Sequence, residues 1–270
     1  MRRAAVLGKP IRHSLSPLLH RAAYVALGLD WRYDAVECDE SALSGVLSRL
    51  DDSWVGLSLT MPLKETVLPL LDEVTPEADA LAAVNTVLLH DGRRYGDNTD
   101  IDGLVAALRE AGGVATAGSS GTAAVLGGGA TARSALAALA RLGWGNVEVY
   151  ARSRRGAGQL ERAAAYEEVA VDMRPWERAV DALAAPVVVS TVPAGVADAL
   201  VHQVPPSPGA LVDVVYGPTQ TPVARAWESA GGLVADGRTV LLHQAGRQVE
   251  LMTGRSAPLA AMLDALTTAG

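Results

Sequence analysis

Short apolar runs alternate with longer amphipathic stretches along most of the chain. Strands are predicted over Ala4–Leu7, Arg32–Val36, Trp54–Leu59, Thr86–Leu89, Ala123–Leu126, Val147–Tyr150, Val187–Ser190 and Leu211–Val215, each short enough to cross a sheet once. Helix-like segments fill most of the intervals. That rhythm predicts an α/β fold with largely parallel sheet, because parallel neighbours need a crossover connection. Asp91-Gly92, just ahead of Arg93–Tyr95, reads as a tight hairpin turn. Thr99 offers a helix N-cap, Asp102 stands where a capping-box acid would, and Gly112-Gly113 closes the helix that runs through Leu104–Leu108. The loop Ala115-Thr-Ala-Gly118-Ser-Ser-Gly121 reads as a domain junction, since a strand, a glycine turn and a helix begin afresh beyond it. The tail Thr239–Gly270 is helical in pattern and is expected to pack back on the first half.

Composition narrows the function classes. The 270 residues are 49% hydrophobic and 20% charged, which suits a soluble globular protein of one large or two medium domains. A net charge of −7 argues against sequence-independent binding of nucleic acid. The apolar run behind Met1-Arg2-Arg3 is too short for a signal peptide and no run approaches a membrane span, so the expected compartment is the cytoplasm, with no membrane partner. Cys38 is the only cysteine, and His13, His20, His90, His202 and His243 show no metal-ligand spacing, so no metal site is expected.

Two lysines stand among the 23 basic residues, Lys9 and Lys64. Arginine carries charge but does not give up its proton near neutral pH, whereas lysine can. Lys64 follows a strand end and Pro62, which is predicted to open a helix. The positive end of that helix dipole is an unfavourable place for a decorative cation and would make it a better proton donor. A chance lysine on a solvated helix is the plainer alternative.

The turn Gly127-Gly128-Gly129-Ala130-Thr131-Ala132 lies between the strand Ala123–Leu126 and an Ala/Leu-rich helix, as in dinucleotide-binding folds. Gly127 suits the tight turn, Gly129 the close approach of a pyrophosphate, and Ala132 the helix–strand packing. NAD sites usually carry an acid at the end of the next strand. Here Val147–Tyr150 runs instead into Arg152, Ser153 and Arg154, whose charges and hydroxyl suit a 2′-phosphate, so the cofactor is expected to be NADP. In the front half, Ser14 and Ser16 precede Pro17 and a helix. Ser16 reads either as an N-cap or, together with Ser14 and the helix N-terminus, as a carboxylate site. Asn85-Thr86 and Asn98-Thr99-Asp100 place an amide and a carboxylate at element ends, where α/β proteins bind ligands. Asp100 stands where a helix dipole favours negative charge.

The ordered set Ser14-x-Ser16-Pro17, Thr60-x-Pro62-x-Lys64, Asn85-Thr86, Asn98-Thr99-Asp100, the glycine turn, Asp213-x-x-Tyr216-x-Pro218 with Thr221-Pro222, and Gln244-Ala245 resembles the shikimate dehydrogenase family over nearly the whole chain. The resemblance implies a two-domain α/β protein: an open α/β substrate-binding domain over 1–99, completed by C-terminal helices 239–270, and a Rossmann-like NADP-binding domain over 100–238. It implies NADPH-dependent reduction of 3-dehydroshikimate to shikimate. On the same resemblance Ser14 and Ser16 bind the substrate carboxylate, Thr60, Asn85, Asp100 and Gln244 bind ring hydroxyls, and Tyr216 lines the cleft. Lys64 and Asp100 form the catalytic pair and also touch substrate. Gly127 to Ala132, Arg152 to Arg154, Thr191 and Gly237 would hold the cofactor. A small molecule is the expected partner, and the chain a monomer or homodimer.

Several positions depart from the family pattern. Ser58, Ala151 and Ser190 stand where asparagine is common, Val249 and Met252 replace aromatics, and His20-Arg21 replaces a His-Asn pair, with His20 and His243 read as structural. Serine at both 14 and 16 favours shikimate over quinate, the nearest rival substrate. A non-catalytic NADP-binding regulator would be expected to lack Lys64 or Asp100, and a methyltransferase would want an acid where Arg152 stands.

Overall fold

The protein is represented by a computed structural model, which describes residues 1–114, 121–217 and 219–268. Two compact units emerge, Met1–Thr99 with the chain from Leu241 onward, and Asp100–Val240. The first begins with β1 (Arg2–Gly8), α1 (Ser16–Ala26), β2 (Trp31–Glu37), α2 (Glu40–Leu47), β3 (Trp54–Leu59), α3 (Leu63–Thr66), β4 (Glu73–Val74), α4 (Pro76–Ala80), β5 (Thr86–His90) and β6 (Arg93–Asp97). Its sheet has the order β2-β1-β3-β5-β6-β4. β1 runs parallel to β2 and β3, but β5 runs antiparallel to β3 and β6, so this sheet is mixed where the alternation predicts a largely parallel one. The reason is local: Asp91 and Gly92 both take positive φ, 51° and 71°, and fold β6 straight back on β5.

Strand β1 is apolar at successive positions because both of its faces are covered. Ala5 and Leu7 meet Leu43 and Leu47 of α2, while Ala4 and Val6 lie with Tyr24 and Tyr33. Helix α3 has a single turn and gives way to a 3₁₀ turn at Leu68–Leu70, because Pro69 has no N–H with which to continue it.

The second unit contains α5 (Asp100–Glu110), β7 (Ala123–Leu126), α6 (Ala130–Arg141), β8 (Asn146–Ala151), α7 (Ala157–Tyr166), β9 (Ala170–Pro175), β10 (Val187–Ser190), β11 (Ala210–Asp213), α8 (Pro222–Ser229) and β12 (Leu233–Asp236). All its strands are parallel, in the order β12-β11-β10-β7-β8-β9. Helix α5 already packs on α6 and β11, so the change of unit comes at Thr99–Asp100, ahead of the loop read as a junction, whose residues 115–120 lie outside the described ones. β11 stops at Asp213, short of the predicted Val215, because the Asp213 carboxylate accepts the Val215 N–H at 3.2 Å and turns the chain.

Helices α9 (Gly237–Thr253) and α10 (Leu259–Thr268) finish the chain, interrupted at Gly254 with φ 67°. Leu241, Ala245 and Val249 of α9 and Met262 and Leu266 of α10 pack with Leu19 and Ala23 of α1. Met252 lies over Gly56, where an added Cβ would meet its Cε at 2.9 Å. No helix among the described residues is long and apolar enough to cross a membrane.

His20 of α1 is fully buried and stacks on Tyr33, with ring centroids 3.9 Å apart. Burial pushes its pKa from 6.5 down to about 3, against a smaller opposing effect of the Gln248 hydrogen bond. Above the unfolded value the ring is neutral in both states and stability is unaffected. Between 6.5 and about 3 the unfolded chain takes up a proton that the folded chain refuses, so stability falls as pH falls, by at most about 1.4 kcal/mol per pH unit. Urea titrations across that window are expected to show a shallower decline for His20→Gln than for the wild type. Equal slopes would assign the acid sensitivity to other groups.

Candidate active site

Because β1 and β3 are parallel, both end at the same sheet edge. β5 begins at that edge, with Thr86 opposite Ser58 and Asp97. The edge therefore collects the segments that carry Ser14, Ser16, Thr60, Lys64, Asn85 and Thr99. The first two loops touch: the Lys9 N–H donates to Met61 O at 3.0 Å and the Thr60 N–H to Leu7 O at 2.9 Å. A Cβ at Gly8 would collide with the Thr60 side chain and with Met61 O. The Val84 N–H donates to Lys64 O at 2.9 Å, which ties α3 to the residues before β5.

Ser14, Thr60 and Lys64 are half-buried and Ser16 is buried. The Ser16 N–H donates to Ser14 Oγ at 3.3 Å. Ser16 lies within the first turn of α1, and Leu15 takes the cap position in helical conformation, so the N-cap reading of Ser16 is corrected. The dipole argument for Lys64 is corrected as well, since one turn of helix sums few peptide dipoles.

A buried polar cluster lies under this edge. Asn85 Oδ1 accepts from the Thr99 N–H at 2.8 Å and from the Thr86 hydroxyl at 2.7 Å, while its Nδ2 donates to Gln244 Oε1 at 3.3 Å. The Thr99 hydroxyl, read as a helix cap, lies 3.2 Å from both Asn85 Oδ1 and Thr86 Oγ1. Gln248, one turn beyond Gln244 on α9, donates to Asn85 O at 3.3 Å and Thr86 Oγ1 at 3.0 Å. Its Oε1 accepts from the Ser58 hydroxyl at 2.7 Å and faces His20 Nε2 at 3.2 Å.

In the second unit the strand order reverses between β7 and β10, and the glycine turn follows β7 there. Gly127 has φ 108°, and a Cβ on it would collide with Thr191 Oγ1, whose hydroxyl donates to Leu126 O at 2.8 Å. A Cβ on Gly128 would stand 3.0 Å from Ala151 Cβ, whereas one on Gly129 would meet no protein atom within 4 Å. The turn thus packs the protein on one side and offers bare backbone on the other, just before α6, which fits a bound pyrophosphate. Ala132 is fully buried, while Ala130 and Thr131 are half-buried.

β8 pairs with β7, so Arg152, Ser153 and Arg154, all exposed, extend from the strand beside the turn. Gly237 lies against Val214, too close for a Cβ, and Asp236 caps the start of α9 by accepting from the N–H groups of Arg238 and Thr239 at 3.0 and 3.3 Å. Tyr216 is exposed, on the turn that Asp213 holds through Val215 N–H and, at 2.6 Å, the Thr221 hydroxyl. Burial pushes the Asp213 carboxyl up, and these hydrogen bonds oppose it. Pro218 of the same motif lies outside the described residues. Asp100 is buried and opens α5.

Residues 6–87 match the model of the shikimate dehydrogenase substrate binding domain, and residues 237–267 that of the shikimate 5′-dehydrogenase C-terminal domain. The shikimate dehydrogenase (NADP(+)) of Thermus thermophilus is 38% identical over 258 residues, 94% of this chain and 93% of that protein. The chain belongs to the shikimate dehydrogenase family. Among solved structures, the Mycobacterium tuberculosis shikimate dehydrogenase is 42% identical, with a TM-score of 0.87 and full coverage of both chains. The Thermus thermophilus enzyme in complex with NADP(H) and shikimate is 35% identical, with a TM-score of 0.84 and full coverage of both. The two-domain α/β fold of the family is thus the fold of this chain.

Sequence reasoning passed over Gln248 and gave Ser58 and His20 no part in the pocket. The available signal for Gln248 was its spacing: four residues after Gln244, it shares a helix face with it. Gly127→Ala is expected to destabilise the protein by about 1–3 kcal/mol, since it adds a Cβ both at positive φ and against Thr191. Thermal melting measures the loss. An unchanged melting temperature would mean that the turn relaxes without cost.

Proposed function

We infer that the protein is an NADP-dependent shikimate dehydrogenase, an oxidoreductase that reversibly reduces 3-dehydroshikimate to shikimate in the route to the aromatic amino acids. The observation that carries this reading is family membership over nearly the full chain, 94% of which is covered at 38% identity by a shikimate dehydrogenase (NADP(+)). On this reading 1–99 with 239–270 binds substrate and 100–238 binds NADP. A cytoplasmic location, no nucleic-acid or membrane partner, and a monomeric or homodimeric state go with it.

Ser14 and Ser16 take the substrate carboxylate. Thr60, Asn85, Asp100 and Gln244 take its ring hydroxyls, and Tyr216 lines the cleft. The glycine turn, Thr191 and Gly237 hold the dinucleotide, with Arg152, Ser153 and Arg154 at its 2′-phosphate. The nicotinamide, when bound, supplies or accepts the hydride. Reduction leaves negative charge on the ketone oxygen, and the Lys64 ammonium stabilises that oxygen and delivers the proton from Nζ. Asp100 orients the hydroxyl through its carboxylate.

The direct test is NADPH formation, followed by absorbance, from NADP with shikimate or with quinate; no turnover of shikimate overturns the reading. Lys64→Ala is expected to lower kcat strongly with little change in KM for shikimate, because the lysine acts on charge that develops in the transition state. Lys64→Arg should restore little, since arginine keeps the charge but not the transferable proton. A kcat unchanged by Lys64→Ala would remove the lysine from the mechanism.

Cofactor choice is tested separately. Replacing Arg152 and Arg154 together by alanine is expected to weaken NADP by about 1.5 kcal/mol or more per charged hydrogen bond lost, and NAD hardly at all. Both side chains are exposed, which favours the lower end of that range. Dissociation constants for the two cofactors decide it: equal losses would refute the 2′-phosphate assignment.

A further inference from the structure

The polarity of the cluster beneath the first sheet edge is fixed by its backbone anchors. Gln248 Nε2 faces the Asn85 carbonyl, which can only accept, so that atom is the amide nitrogen. Asn85 Oδ1 faces the Thr99 backbone N–H, which can only donate, so that atom is the amide oxygen. The Thr86 hydroxyl lies between them, 3.0 Å from Gln248 Nε2 and 2.7 Å from Asn85 Oδ1. It therefore accepts from Gln248 and spends its one proton on Asn85. Gln244 is anchored likewise, its Nε2 donating to Leu241 O at 3.3 Å, which leaves Oε1 toward Asn85 Nδ2.

The far side of Gln248 is equally determined. Tyr33 OH donates to Ser58 Oγ at 2.6 Å, and Ser58 Oγ donates on to Gln248 Oε1 at 2.7 Å. His20 Nε2 lies 3.2 Å from the same oxygen and so carries its ring proton there. Both edges of the Gln248 amide are occupied, and its side chain is 1% exposed. A 180° flip would set N–H against the donors and C=O against the Asn85 carbonyl.

We propose that Gln248 is a positioning residue of the substrate pocket, acting through the Thr86 hydroxyl, alongside the Thr99 N–H, to hold the edge of the Asn85 amide that faces Gln244. The proposal rests on the reading that Asn85 and Gln244 bind the ring hydroxyls of shikimate. Hydrogen-bond donors run in one direction, from Tyr33 through Ser58 to the Gln248 oxygen, and from the Gln248 nitrogen through Thr86 to Asn85. The pocket receives an Asn85 N–H donor beside a Gln244 carbonyl acceptor. A hydroxyl can satisfy both at once, by accepting from one and donating to the other; a ketone oxygen can only accept. The pair is thereby matched to a ring position that stays a hydroxyl through the reaction.

The test is a double-mutant cycle on the full-length protein, with NADP saturating and shikimate varied. Thr86→Val removes the hydroxyl at nearly constant volume and is expected to raise KM about tenfold with a smaller effect on kcat, the scale of one buried hydrogen bond. Thr86→Ser keeps the hydroxyl and should recover most of that loss. Gln248→Met is expected to raise KM to a similar degree, and Thr86→Val/Gln248→Met should be no worse than Thr86→Val alone, because both changes break one relay. Additive losses in the double variant would overturn the proposal, as they signify two independent structural effects. Should Gln248→Met fail to fold, the serine and valine variants at position 86 still decide: equal KM for the two overturns the relay. A wild-type protein that does not turn over shikimate overturns the reading and the assignment with it, whereas wild-type turnover with additive variants overturns the assignment alone.

Discussion

Parallel strands all point their carboxyl ends the same way, so a sheet built from them has one edge where loops and helix N-termini accumulate. Both units of this chain follow from that constraint. In the second unit every strand obeys it, and the glycine turn and Thr191 follow adjacent strands at the point where the order reverses. The first unit breaks the rule once, and usefully. Turning β5 against β3 brings the start of a strand, with Asn85 just before it, to an edge otherwise supplied by strand ends. The hairpin at Asp91-Gly92 then returns the chain to the same edge at Asp97, from which Thr99 reaches Asn85.

Burial of polar groups imposes the second condition. Asn85, Thr86, Thr99, Gln248 and Ser58 are nearly inaccessible, and each meets partners, as buried polar groups must if they are not to cost stability. Two polar atoms next to the cluster are exceptions: His20 Nδ1 and Tyr24 OH have no hydrogen-bond partner among the described residues. Desolvation keeps His20 neutral, so this member of the network carries no charge near neutral pH.

Much of this was legible in the sequence, for physical reasons that also mark the limits. Strands buried on both faces, such as β1, β3, β7 and β10, read as apolar runs and fall almost where they are expected. β4, with two residues, and β9, with Asp172 and Arg174 alternating along it, carry no such signal and went unread. The glycine turn was legible because backbone geometry demands glycine at Gly127. Gln248 was not: a polar residue on an amphipathic helix looks like surface, and its hydrogen bond to Thr86 spans 162 positions that only folding closes. That α3 is only one turn long was not legible from Pro62, which marks where a helix starts but not where it ends.

One ion pair bears on how the protein can be studied. Lys9 lies 2.9 Å from Asp39, and that carboxylate holds its ammonium in the charged form. Only a neutral amine can attack an acylating reagent, so this partner slows the reaction at Lys9. With no lysine besides Lys9 and Lys64, mass spectrometry of a briefly acylated sample has two side-chain sites to compare. One of them, Lys9, is exposed and held by Asp39, and serves as an internal reference. The extent of labelling at the other then reports, without any assay of turnover, whether a ligand shields that amine.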